Sequence, residues 1–131
     1  MITVIRSADS TGAQPGRGTF TGDVWKDLLI RQDGIGVATI QFTPGARTNW
    51  HTHEGGQLLV IVAGEALVGD ESGTELLAAG DIAWTPGGTP HWHGATDGRF
   101  MVHTAVSFQG VDWHGPVDER TYAAALQSAR S

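Results

Sequence analysis

Residues 45–64 read GARTNWHTHEGGQLLVIVAG, and this stretch decides the fold. His51-Thr52-His53 sets two imidazoles two positions apart. In an extended strand such residues share a face, so both rings converge on one point. Glu54-Gly55-Gly56 reads as a tight turn, since glycine reaches backbone angles closed to other residues. The run that follows, QLLVIVAG, is β-rich, and its first inward side chain is Gln57. Two imidazoles and an amide oxygen facing inward suggest a mononuclear metal site. Glu54 alternates away from His53 and is expected as an exposed turn residue.

Downstream, Gly80-Asp-Ile-Ala-Trp-Thr-Pro86-Gly-Gly88-Thr-Pro-His91 brings a third histidine to the start of another strand. Together the two stretches resemble the cupin superfamily. Gly45, His51, His53, Gln57 and Gly64 match its first motif, and Gly80, Pro86, Gly88 and His91 its second. Gln57 replaces the usual glutamate, and Ala95 the asparagine that commonly ends the second motif. The words between, from Phe42-Thr-Pro-Gly to His91-Trp-His-Gly-Ala95 and Val111-Asp-Trp, are similar to small bacterial cupins that include manganese-dependent hydroxynitrile lyases. That likeness runs from Phe20 onward.

The resemblance implies an all-β jelly-roll barrel with a short C-terminal helix. It implies one divalent metal held by His51, His53, Gln57 and His91, with manganese expected and iron, zinc or nickel as alternatives. Gln57 is otherwise a barrel-lining amide that never reaches the ion. A site of three neutral imidazoles and a neutral amide leaves the metal's charge uncompensated, which favours Lewis-acid chemistry over redox cycling. His93, on the same strand face as His91, is the candidate general base, or else it only bonds a neighbouring strand. His103 is expected to reach the same cavity from an adjacent strand. The implied activity is carbon–carbon lysis of an aromatic cyanohydrin. In it His93 takes the hydroxyl proton, His103 or the metal stabilises departing cyanide, and Ala38 and Ile40 shape the aryl space. An iron-dependent dioxygenase and a non-enzymatic small-molecule sensor are the competing readings.

Composition narrows the classes. A chain of 131 residues fits one domain, here 1–131 with a barrel core of about residues 36–108. Nineteen glycines and 17% charged residues favour a turn-rich β protein. A formal charge of −6 and a single lysine, Lys26, argue against nucleic-acid or anionic-membrane partners. Zero cysteines exclude disulfides and thiolate ligands, leaving imidazole and oxygen to bind metal. No apolar run spans a bilayer and MITVIRSADS lacks a secretory pattern, so a cytoplasmic protein is the default expectation. A small-molecule substrate and a homodimer or homotetramer complete the partners expected.

Along the chain, MITVI reads as an edge strand, either ordinary or pairing with a neighbouring subunit. Thr19–Trp25 and Asp27–Ile30 are short candidate strands. Residues 36–42, GVATIQF, alternate, with Ala38, Ile40 and Phe42 on one face. Glu65–Val68 and Glu75–Leu77 flank a polar hairpin loop, and Ile82–Thr85 is read as a buried strand. Arg99–Phe108 alternates again, with Met101, His103 and Ala105 on one side. Asp118–Ala129 is the one helix, rich in helix formers. Arg47 and Asn49 either fix the approach to the ligands or are solvated, the second being slightly favoured. His114 is expected at the surface, and Trp50, Trp84 and Trp92 as packing residues.

Overall fold

The strands follow the alternating runs. A computed structural model describes Met1–Ser131. Its elements are β1 (Gln14–Pro15), β2 (Phe20–Thr21), β3 (Val24–Gln32), β4 (Ile35–Phe42), β5 (Arg47–Thr48), β6 (His51–His53) and β7 (Gln57–Asp70). Then come β8 (Gly73–Ala78), β9 (Ile82–Thr85), β10 (His91–Ala95), β11 (Met101–Phe108), β12 (Val111–Trp113) and the helix α1 (Glu119–Arg130). One sheet runs β1-β3-β4-β11-β7-β9, and a second joins β2, β5, β10, β7 and β8, with β6 alongside β10 and β12 alongside β6. The expected all-β barrel with one C-terminal helix is present.

β7 belongs to both sheets. Its first half pairs with β9 and β11, its second with β8 and β10. The strand changes sheets near Gly64, whose φ is +79° and where a Cβ would lie 1.8 Å from the Phe100 carbonyl oxygen. Only glycine fits there, which is why the corner falls at this point. Thr19–Trp25, expected as one strand, is split between β2 and β3 at Gly22 (φ +81°), packed against Ala46. Glu65–Val68 and Asp27–Ile30 are likewise parts of longer strands, β7 and β3. The paired region reaches beyond residues 36–108 on both sides, through β3 and β12.

The barrel interior is closed by Val24, Ala38, Ile40, Phe42, Leu59, Ile61, Met101 and Ala105. A second core lies outside, where α1 lays Tyr122, Ala125 and Leu126 against Leu67, Trp92 and Val117. Asp118 caps the helix, its carboxylate accepting from the Thr121 amide at 2.7 Å. The Tyr122 hydroxyl donates to the Ala95 carbonyl at 2.6 Å, tying α1 to β10.

Two expectations are corrected here. MITVI forms no strand within this chain, against the ordinary edge-strand reading, and Met1, Ile2, Val4 and Ile5 are all exposed. Ile82–Thr85 is a strand but not a buried one, since Ile82 is 63% and Trp84 55% exposed. They sit on the outer face of the first sheet, where Ile30, Val37, Val106, Leu58 and Trp84 form one apolar row in register across five strands. Thr39, Thr104, Val60 and Ile82 form the next. No helix of this chain covers that face. No helix is long and apolar enough to cross a membrane.

Candidate metal centre

The site is assembled by register. His51 on β6 lies directly opposite His91 on β10, which brings their rings to 4.2 Å between centroids. His53, two positions on, sits 5.1 Å from His51 and 5.8 Å from His91. Gln57, the first residue of β7, points the same way. All four are buried, as are His93 and His103.

The backbone sets the tautomers. His51 Nδ1 lies 2.9 Å from the Asn49 carbonyl, and His91 Nδ1 2.9 Å from the Thr89 carbonyl. A carbonyl only accepts, so each Nδ1 carries the proton and each Nε2 presents a lone pair inward. This is the arrangement that orients metal-ligating histidines. The Gln57 amide donates from Nε2 to Ser107 Oγ at 3.0 Å, which turns Oε1 toward His91 Nε2, also at 3.0 Å. Oxygen and nitrogen lone pairs then face one another with no proton between them. Both ring nitrogens of His53, and Nε2 of His93, are buried without a hydrogen-bond partner in the chain. A cation held by His51, His53, Gln57 and His91 would answer the facing lone pairs and one ring nitrogen of His53, so the donor set fits a metal.

Each histidine is held neutral. Burial, followed by the like charge of His91, pushes His51 down to about 3 and His53 to about 4. Burial alone dominates the lowering of His91. His93 lies well below its ordinary value through burial and then the proximity of His103, which burial itself holds at about 4. Neutral imidazole is the ligand form.

The structure groups the residues differently from the motif in one respect. His51, His91 and His93 each have a ring nitrogen within 4.8 Å of the others, and His53 is outside that trio. His93 also bonds His103, Nδ1 to Nε2 at 2.9 Å. His103 stands behind His93 and does not line the cavity, so it reaches the site through His93.

The cavity beside the cluster measures about 270 Å³ and is walled by Ala38, Ile40, His51, His53, Gln57 and His93 among others. A larger cleft of about 580 Å³ on the flank, against β8 and β9, meets the cluster only at His91, so the smaller cavity is the candidate site. None of its lining residues is an Asp or Glu. Glu54 is exposed in its turn and His114 at the surface, as expected. Trp92 packs under α1, whereas Trp84 is mostly exposed.

Arg47 and Asn49 correct the solvated reading: they are 3% and 7% exposed. The Arg47 guanidinium donates to the Val117 carbonyl from Nε at 3.1 Å and from NH2 at 2.8 Å, and to the Gly45 carbonyl at 3.1 Å. Asn49 Nδ2 donates to the His114 carbonyl at 3.1 Å. Together they fasten the strand that leads into His51 to the segment before α1. Thr48 and Ser107 also serve the site, the first through a bond from the His93 amide to its Oγ1 at 3.2 Å. Alternation from His103 and Ala105 is the sequence signal that marks Ser107 as inward.

A cupin domain model matches residues 38–107, which hold most of the barrel and every proposed ligand. The chain is 38% identical over 111 residues to an (R)-mandelonitrile lyase from Granulicella tundricola, covering 79% of this chain and 85% of that one. Among solved structures, a cupin-like protein from Thermotoga maritima superposes with a TM-score of 0.84 at 33% identity, covering 87% of this chain and 93% of the other. A polyketide cyclase from Streptomyces resistomycificus shares the fold alone, with a TM-score of 0.73 at 19% identity over 93% of this chain and 91% of its own. With its ligand-bearing strands opposed in register and the family match spanning both motifs, the chain belongs to the cupin family.

Proposed function

We propose that this cupin is a metal-dependent lyase that cleaves cyanohydrins to an aldehyde and hydrogen cyanide. The observation that carries the reading is His93. It lines a carboxylate-free cavity, its Nε2 has no hydrogen-bond partner in the chain, and its Nδ1 is held by His103. Likeness to a mandelonitrile lyase supports it.

His51, His53, Gln57 and His91 would hold the ion, manganese in our assignment. Bound there, it would supply Lewis acidity that lowers the pKa of a substrate hydroxyl, undiminished by any carboxylate ligand. The chain does the rest. His93, neutral because it is buried, accepts the hydroxyl proton at Nε2. For Nε2 to be the acceptor, Nδ1 must carry the ring proton and donate it to His103 Nε2, so the reading requires His103 to be the acceptor of this pair. The carbon–nitrile bond breaks, its electron pair leaves with cyanide, and the proton on His93 passes to cyanide to complete the products. Ala38 and Ile40 on β4 wall the cavity where the rest of the substrate sits.

Metal-loaded protein should release benzaldehyde and cyanide from mandelonitrile without oxygen, at mildly acidic pH where the uncatalysed breakdown is slow. His93→Ala should lose most of this rate, a positioned base contributing about 10²–10⁴-fold. Activity that survives metal removal, or none with manganese, iron or zinc restored, would reject the lyase and leave the dioxygenase or sensor reading.

We further propose that the protein works as a homodimer joined through the outer face of the first sheet. The row from Ile30 to Trp84 carries no charge and the next carries only Asp27 at its β3 end, opposite Thr39, so a two-fold copy meets most of this face without needing charge partners. On a chain of formal charge −6, a face with a single charge at its edge is where a like-charged copy can approach. Trp84→Glu should yield monomers by light scattering; a monomeric wild type would overturn this.

A further inference from the structure

Among the residues lining the candidate cavity are two cations that the lyase chemistry does not use. Lys26, the only lysine, pairs in register with Ile40 and so shares its inward face. Arg31 would face outward if β3 alternated without interruption. The register instead slips between Leu28 and Ile30, so that Leu28 lies opposite Ala38 but Ile30 opposite Val37. This bulge sends Ile30 to the outer face and returns Arg31 to the inner one, opposite Gly36. The absence of a side chain at Gly36 leaves room for the guanidinium, whose atoms lie 3.8–3.9 Å from where a Cβ would stand. Both side chains line the cavity.

Neither has a partner. The two ion pairs of the chain are Arg47 with Glu119 and Arg130 with Asp97, and none of the 17 residues lining the cavity is acidic. The chain has 14 acidic residues against 8 basic ones. To aim two of the latter into one acid-free pocket is against that balance. Partly buried like charges without a counter-ion cost free energy. Burial and the charge of Arg31 both hold the Lys26 ammonium below its ordinary range, which an incoming anion would reverse.

We infer that the molecule bound in this cavity carries a carboxylate, seated between Lys26 and Arg31, with its reacting end toward His51 and His93. The inference rests on the reading of this cavity as the active site, and it narrows the substrate from an unsubstituted aryl cyanohydrin to a carboxylated hydroxy compound. Arg31 offers a planar fork and Lys26 a point charge, a pairing suited to a carboxylate. A cavity of about 270 Å³ restricts the ligand to a small molecule.

The test is a binding one. Acetate, butyrate, benzoate and phenylacetate, each against its primary amide, are titrated calorimetrically into metal-free and metal-loaded protein. At least one acid should bind roughly ten- to a hundredfold tighter than its amide in both forms. Lys26→Met combined with Arg31→Met should abolish that preference, bringing each acid down to the affinity of its amide. No preference for any acid, or a preference that persists in the double variant, would overturn the inference. So would a preference seen only with metal present, since the carboxylate would then sit on the ion. The metal-free arm separates this from the lyase reading: a preference there stands even if mandelonitrile is never cleaved, and its absence beside intact cleavage defeats the inference alone.

Discussion

Replacing Arg47 by methionine probes what holds the ligand-bearing strand in place. The methionine keeps the apolar stem and removes the guanidinium, whose side chain is 4% exposed. Val117 loses both donors to its carbonyl, and Gly45 loses one. A buried acceptor left unpaired costs about 1–3 kcal/mol. The guanidinium also stacks 4.3 Å from the Tyr122 ring centroid, a contact worth roughly 0.5–2 kcal/mol. Removing the need to bury a charge offsets part of this, leaving a loss of about 3 kcal/mol. The ion pair to Glu119 adds little, because that carboxylate is 85% exposed. Urea unfolding at fixed protein concentration should therefore show Arg47→Met strongly destabilised and Glu119→Gln within about 0.5 kcal/mol of wild type. If the two variants cost the same, or if Arg47→Met costs under about 1 kcal/mol, the carbonyl contacts are not what anchors this strand.

Gln57→Glu should keep or strengthen metal binding while lowering any lyase rate by roughly tenfold or more, because a carboxylate offsets the ion's charge. An unchanged rate would sink the electrostatic argument and spare the metal site. Acid should destabilise the metal-free protein. His51 and His103 have native values of about 3 and about 4, below an ordinary 6.5 that the unfolded chain retains. The unfolded state therefore takes up protons first, so their stabilising contribution is complete above about pH 6.5 and is lost as pH falls toward the native values. For His103 that is about 3 kcal/mol. An equal urea midpoint at pH 7 and at about pH 4.5 would contradict it.

Strand parity made the site legible before any coordinates. His-x-His, Gln57 and His91 are inward at their positions because a period of two carries them there, and the register of β6 with β10 does the rest. The same rule hid Arg31: one extra residue in β3 reverses the parity beyond it, and no composition signal marks the bulge. Arg47 reads as solvated since arginine usually is, and only the fold brings the Val117 carbonyl to it. Ile82 and Trp84 read as buried because apolar runs do not say whether a surface covers them, and no element of this chain does. His53 and His93 are a different matter. Motif and geometry nominate different third imidazoles.

That disagreement sets the decisive measurement. Elemental analysis of wild type, His53→Ala and His93→Ala, purified identically, reads which histidine the metal needs. Wild type and His93→Ala should each hold about one divalent ion per chain, and His53→Ala little. A full complement in His53→Ala beside an empty His93→Ala would place His93 among the ligands and remove the general base from the proposed reaction.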